Sequence, residues 1–205
     1  MNRIKLVFMM SMCVSVVTFY GCSSAPKVTR TNVEKTIDLS GRWNDTDSRL
    51  VAEEMIKDCL SRSWINKFNQ KSGKDPVVIV GTVVNRSSEH INSQVFIAEL
   101  EKNLLNSGKV VFVTDRQQRL EVRDERNDQQ QSGETDPSTI KPKGKETGAD
   151  FMVQGSINSI KDEIKGKYAI LYQANLELID LSNNQKVWIG QKEIKKLVER
   201  PQYSF

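Results

Sequence analysis

The chain has 205 residues, 38% of them hydrophobic and 27% charged, with a formal net charge of +4 and three cysteines, which suits one domain with a real core and not two large ones. A mean hydropathy of -0.49 excludes a polytopic membrane protein, yet enough apolar residues remain to exclude a wholly disordered chain. The same composition excludes collagen, coiled-coil and disulfide-scaffold classes.

The apolar residues are front-loaded. Arg3 and Lys5 precede Leu6 to Tyr20, an uncharged run of 15 residues followed by Gly21 and Cys22. A spanning helix needs about 20 apolar residues, so this shorter run closed by a small residue reads as a secretory signal over residues 1–21, the alternative being a retained anchor. Removing it takes two of the 30 basic residues and none of the 26 acidic ones, leaving 184 residues at +2. No basic stripe with interleaved aromatics appears, so no nucleic-acid partner is expected.

Ser23 to Ile37 is polar, holds one Pro and has no apolar period. With Cys22 it reads as a tether over residues 22–37, whose 15 residues after the cysteine span at most about 50 Å. The globular domain is expected over 38–205. Asp45, Thr46, Asp47 and Ser48 offer N-caps ahead of a stripe from Leu50 through Trp64 and Ile65, which predicts one helix over 46–68. Cys59 falls on that stripe. As the one thiol left in an exported domain it is either a reactive group or a buried small apolar residue, and the helical spacing favours burial.

Val77 to Val84 is a β-branched run typical of a strand buried on both faces, hence a central strand. Asn85 to His90 reads as a polar loop. Asn92 or Ser93 caps a helix whose Phe96, Ile97, Leu100 and Leu104 share one face, and Gly108 ends it. Lys109 to Thr114 reads as a second strand. The stretch Arg116 to Gln131 is dominated by charged and amide side chains, where a helix start is expected with little to bury. Ser132 to Pro142 reads as a mobile loop before a short helix ending at Gly148. Phe151 to Ile160 and the alternating Tyr168 to Leu178 are strands, and Asn183-Asn184 turns the chain into Val187-Trp188-Ile189. The order predicts one α/β (α+β) domain, a mixed sheet of four to five strands flanked by helices.

Catalytic constellations are missing from the sequence: no HExxH, Walker loop, G-x-S-x-G or dinucleotide fingerprint occurs. The one histidine, His90, lies in a polar loop beside Glu89, where a solvated or partner-facing role is expected rather than that of a base. One histidine also rules out a His-only metal site. Glu53-Glu54 and Asp124-Glu125 fall in Arg- and Lys-rich helical runs and read as solvated faces. The chain is therefore expected to be no enzyme, with no cofactor and no metal.

Phe19-Tyr20-Gly21-Cys22 with Ser23 and Ser24 resembles a bacterial lipobox, although Phe19 and Tyr20 are bulkier than the residues usual at those places. This resemblance implies that Cys22 becomes the acylated first residue, and several acyl chains make release slow. Further on, Val83-Val84-Asn85-Arg86-Ser87 leads into the Phe96 to Leu105 helix and Asn106-Ser107-Gly108-Lys109. Then come Gly148-Ala149-Asp150-Phe151-Met152-Val153-Gln154-Gly155 and Leu176-Glu177-Leu178-Ile179-Asp180 with Lys186-Val187-Trp188-Ile189-Gly190. These four blocks, in order over roughly 39–196, resemble the LpoB family of outer-membrane lipoproteins.

That resemblance implies a fold like the amino-terminal domain of TolB. It further implies a non-enzymatic, monomeric activator, lipid-anchored in the outer membrane and facing the periplasm, whose partner is a class A, bifunctional penicillin-binding protein. The tether here is shorter than the long, Pro-rich one of well-known members. Exposed loops on a rigid sheet are the expected partner surfaces. The first choice is Asn85, Arg86, Ser87, Glu89 and His90. The second is Arg123, Glu125, Arg126 and Gln129 with Asp128, for which an ordinary solvated helix face is the alternative. Tyr172 and Trp188 read as core rather than interface. A second class of function, a structural lipoprotein of an envelope assembly or curli-type export complex, requires ring formation and a segment able to span the outer membrane.

Overall fold

A computed structural model describes residues 27–199. The signal, Cys22 and residues 200–205 lie outside the described residues. Of the described residues, Lys27 to Lys35 belong to a separate unit from the one that begins at Thr36; they are exposed, with a turn closed by Lys35 N donating to Asn32 O.

The domain runs α1 (Asp45–Ser61), α2 (Trp64–Ser72), β1 (Val77–Arg86), α3 (Ser93–Asn106), β2 (Val111–Phe112), α4 (Arg116–Gln131), β3 (Phe151–Ile164), β4 (Lys167–Asp180) and β5 (Lys186–Glu199). These strands form one mixed sheet in the order β2-β1-β3-β4-β5, with β1 parallel to both its neighbours and β3, β4 and β5 antiparallel. The expected α/β (α+β) class with a mixed sheet and helices is what forms.

Helix α1 starts one residue earlier than the sequence suggests. Asn44 is the N-cap, accepting from Asp47 N, while Asp47 accepts in return from Asn44 N, a reciprocal box that satisfies two orphan donors. The expected single helix over 46–68 is broken: Arg62 is extended (φ -82°, ψ 160°) and α2 begins at Trp64. The reason is tertiary. Trp64 Nε1 donates to Cys59 O at 2.8 Å, and its ring meets Phe151 edge-on at 5.0 Å, which requires the chain to turn out of the α1 axis.

Helices α1 and α3 pack on one face of the sheet. Val51, Ala52, Met55, Ile56 and Cys59 of α1 and Phe96, Leu100 and Leu104 of α3 are buried against Val153, Ile157, Tyr172, Ala174, Leu176 and Leu178. Full burial of a side chain such as Phe96 or Leu100 contributes about 1.5–3 kcal/mol. Alternation in β4 sets Gln173, Asn175 and Glu177 on the opposite, partly solvated face. Gly155 is required where β3 meets β4: an added Cβ would stand 2.0 Å from Asn175 O.

Strand β1 has neighbours on both sides, as a central strand should, but β2 reaches only Val77 and Val78. The expected second strand over 109–114 shrinks to two residues because Gly108 (φ 64°) and the Ser107 turn still direct the chain up to it, and Asp115 already caps α4. Strand β1 runs two residues beyond the expected end, so Asn85 and Arg86 are strand and not loop; both pair with β3 after a bulge between Val80 and Val83. The expected short helix ending at Gly148 does not form. Residues 140–150 are turn and irregular, held by side-chain contacts to α4 described below.

Candidate functional site

The loop after β1 is built on Asn85. Its Nδ2 donates to Glu89 O at 2.8 Å, and its Oδ1 accepts from Ser87 N at 3.0 Å and Ser87 Oγ at 2.7 Å. An Asx side chain replacing backbone partners in this way fixes a tight turn. Ser88 N donates to Ser159 Oγ, tying the loop to β3. Glu89 then points inward: its Oε2 accepts from Trp43 N at 3.4 Å, and it lies beside the Tyr172 hydroxyl. Burial, followed by the bond to the Glu89 carboxylate, holds the Tyr172 phenol well above its ordinary pKa.

Of the five residues expected here, Asn85, Ser87 and Glu89 therefore shape and anchor the loop, while Arg86 and His90 are exposed. Arg86 borders a depression of about 350 Å³ on the sheet face opposite α1, shared with Thr82, Gln154, Ser156, Asn175 and Glu177. Gln154 Nε2 donates to Glu177 Oε1 at 2.7 Å, and Glu177 also receives Lys186; those two bonds, that from Lys186 first, hold its carboxyl below the usual range. This amide-rich strip was not singled out from the sequence, although the alternation of Gln173, Asn175 and Glu177 marks it.

The second expected surface lies on α4, which buries no residue. Asp115 caps it by accepting from Gln118 N at 2.8 Å. Arg123 makes a two-pronged bond to Glu146 through Nε at 3.0 Å and Nη2 at 2.8 Å, and Arg126 Nη1 joins the same carboxylate at 2.8 Å. These cations, Arg123 before Arg126, drive the Glu146 pKa down to about 2. Gln129 accepts from Lys141 N and donates to Glu125, and Gln130 Nε2 donates to Lys141 O. The α4 candidates thus clamp the segment returning from Ser132 to Gly148. Asp128 contributes its carbonyl to the Ser132 cap. A cavity of about 440 Å³ opens between Arg123, Arg126, Asn127, Lys143, Gly144 and Glu146.

Cys59 is fully buried; burial pushes its thiol pKa up to about 12. Tyr172 and Trp188 are core, as expected, and Trp188 Nε1 donates to Asp58 Oδ2 at 2.8 Å, joining β5 to α1. Among the described residues no group of three His, Cys, Asp or Glu side chains could hold a metal, and no helix is long and apolar enough to cross a membrane. What the two surfaces offer is hydrogen bonding and charge on a rigid frame, which is the equipment of recognition.

Residues 47–194 match the model of a family described as peptidoglycan-synthase activator LpoB. Among solved structures the chain is similar to the LpoB C-terminal domain from Escherichia coli, at 17% identity and a TM-score of 0.40, covering 71% of this chain and 98% of that one. It is similar to E. coli LpoB solved by NMR, at 17% identity and a TM-score of 0.38, covering 86% and 83%. It is also similar to lipoprotein GNA1162 from Neisseria meningitidis, at 13% identity and a TM-score of 0.38, covering 63% and 88%. No curated protein sequence matches the chain.

Proposed function

Because this chain belongs to the LpoB family of peptidoglycan-synthase activators, we propose that it binds and activates a class A penicillin-binding protein, and so regulates peptidoglycan synthesis without catalysing a reaction itself. The observation that carries this reading is the family match over 47–194, which takes in both helices of the core and nearly the whole sheet. In this reading Cys22 bears the acyl chains, residues 22–37 are the tether, and a monomeric domain faces the periplasm from the outer membrane.

Activation by such a protein is differential binding. If docking favours one conformation of the synthase over another, the population shifts by no more than the difference in affinity between the two. The surface assigned to the synthase starts at Arg86 and His90, which the Asn85 knot holds outward, and continues over the strip formed by Gln154, Ser156 and Asn175. The clamp of Arg123 and Arg126 on Glu146 is the second contact region, with Glu125 and Gln129 beside it.

Photocrosslinking in whole envelopes tests this. A crosslinker replacing Arg86 or His90 is expected to capture a class A synthase, and one replacing Lys109, at the opposite end of β1, is expected not to. Capture of no synthase from any of these positions would refute the assigned surface.

A further inference from the structure

The chain enters its domain at one end of the sheet. Asp38 Oδ1 accepts from Lys196 Nζ at 2.6 Å, Ser40 O accepts from the Tyr168 hydroxyl, and Gly41 lies against Val198. Tyr168 pairs with Glu163 on one side and Val198 on the other, so these contacts fall within a few residues of the Lys165-Gly166 turn between β3 and β4.

The same end concentrates exposed apolar surface. Among the described residues from Thr36 onward, five large apolar side chains are more than 60% exposed. Four of them are here: Leu39 at 93%, Ile164 at 74%, and Ile160 and Leu197 at 69% each. Ile160 pairs with Leu171, and Leu197 with Ala169, on the sheet face opposite α1. Leu171 and Ala169 lie between Ile160 and Leu197 on that face, Ile164 shares it through its pairing with Lys167, and Leu39 borders the same groove as Leu197. Single exposed apolar residues are ordinary, whereas a continuous patch marks a contact.

On that face stand Lys167 and Lys195 with Asp162 and Glu199 as the acids, Lys165 lies in the turn, and Lys161 and Glu163 point to the face of α1. Lys161 is bonded to Glu163 and Lys167 to Glu199, all on exposed side chains. Long lysine stems can lie along apolar surface while their ammonium groups reach polar headgroups.

We propose that this end of the domain docks on a lipid surface, that of the bilayer holding the chain's own anchor. Isoleucine and leucine side chains enter the boundary of the acyl region, and the lysines meet headgroup phosphates. The inference rests on the lipid attachment proposed at Cys22. Fifteen tether residues reach at most about 50 Å, close to the roughly 45 Å length of a 14-residue strand. They join the domain at this end, so docking by it uses the least of that reach.

The test uses the full chain with mixed phosphatidylethanolamine and phosphatidylglycerol vesicles, and a nitroxide on Ile164→Cys or, at the far end of the sheet, on Leu181→Cys. The 164 label is expected to collide more with lipid-dissolved oxygen than with an aqueous nickel chelate, and the 181 label the reverse. Ile160→Ser with Leu197→Ser is expected to return the 164 label to water without unfolding the chain, since both side chains are already exposed. A 164 label as aqueous as the 181 label overturns the proposal. Spin–spin broadening at 164 that grows with protein density also overturns it, by assigning the patch to a second copy. The mass of the Cys22 peptide is read separately: an unmodified Cys22 refutes the anchor, while the label still reports docking.

Discussion

Lys196 Nζ stands 2.6 Å from Asp47 Oδ2, and the two side chains are only 10% and 9% exposed. The same ammonium reaches Asp38 and the Arg42 carbonyl. It joins the last strand, the first turn of α1 and the beginning of the domain through one charge. Burial alone would lower the Lys196 pKa, but the bonds to Asp38 and Asp47 carry it above the ordinary lysine value. Removing the lysine leaves a buried carboxylate without its cation, whereas removing an exposed cation loses little. Lys196→Ala is expected to lower unfolding stability by about 3 kcal/mol, and Lys167→Ala, whose Glu199 pair is more than half exposed, by about 0.5 kcal/mol or less. Urea titration checks this; equal effects would show that the cluster contributes nothing. With a raised lysine pKa, its stabilisation is complete below the unfolded value of about 10.4 and fades as pH rises through the higher folded one.

Cys59 has a pKa pushed to about 12, first by burial, and its residue is fully enclosed. The native protein at pH 8 is therefore expected to leave Cys59 unlabelled by an aromatic disulfide reagent, and full labelling is expected in denaturant. Peptide mass mapping checks it. Fast native labelling would mean that α1 opens away from the sheet.

Glu89 and its neighbours divide by role. Glu89→Ala removes the acceptor beneath Trp43 and Tyr172 and is expected to destabilise the domain by about 1–2 kcal/mol. Arg86→Ala and His90→Ala are expected to change the melting temperature little and to weaken synthase binding. Calorimetry and a binding titration on the same three variants separate the roles. Weakened binding only in Glu89→Ala would place the contact elsewhere.

Glu146 has its carboxyl held at about 2 by Arg123 and Arg126. Its clamp is intact above the ordinary carboxylate value of about 4.3 and is lost as pH falls from there through about 2. The Glu146 side-chain carboxyl resonance is expected to report an ionised group at pH 4 and to titrate only as pH falls toward about 2. A side-chain carboxyl resonance titrating near 4.3 would show that the clamp does not form in solution.

Local pattern carried much of the architecture. The spacing of Val51, Met55, Ile56 and Cys59 marks the buried face of α1, Gly108 ends α3 with a positive φ, and Asn184 turns β4 into β5 at φ 62°. What could not be read depended on partners far along the chain. Trp64 continues the α1 stripe in sequence, yet its indole and Phe151 break the helix. Glu89 looks solvated among polar neighbours until Tyr172 is placed beneath it. Glu146 lies in a stretch with no periodicity, and only the two arginines on α4 give it a partner. The site residues follow the same division: Arg86, His90, Arg123 and Glu125 are exposed as their polar surroundings imply, whereas Asn85, Ser87, Glu89, Arg126 and Gln129 are half-buried because they hold loops.

Activation is read from the rate of glycan polymerisation by class A penicillin-binding proteins from the same cell, with and without this protein. A rise in rate that saturates with the protein, follows its binding curve and leaves it chemically unchanged is the expected result. No binding to any of those synthases and no change in rate would contradict it.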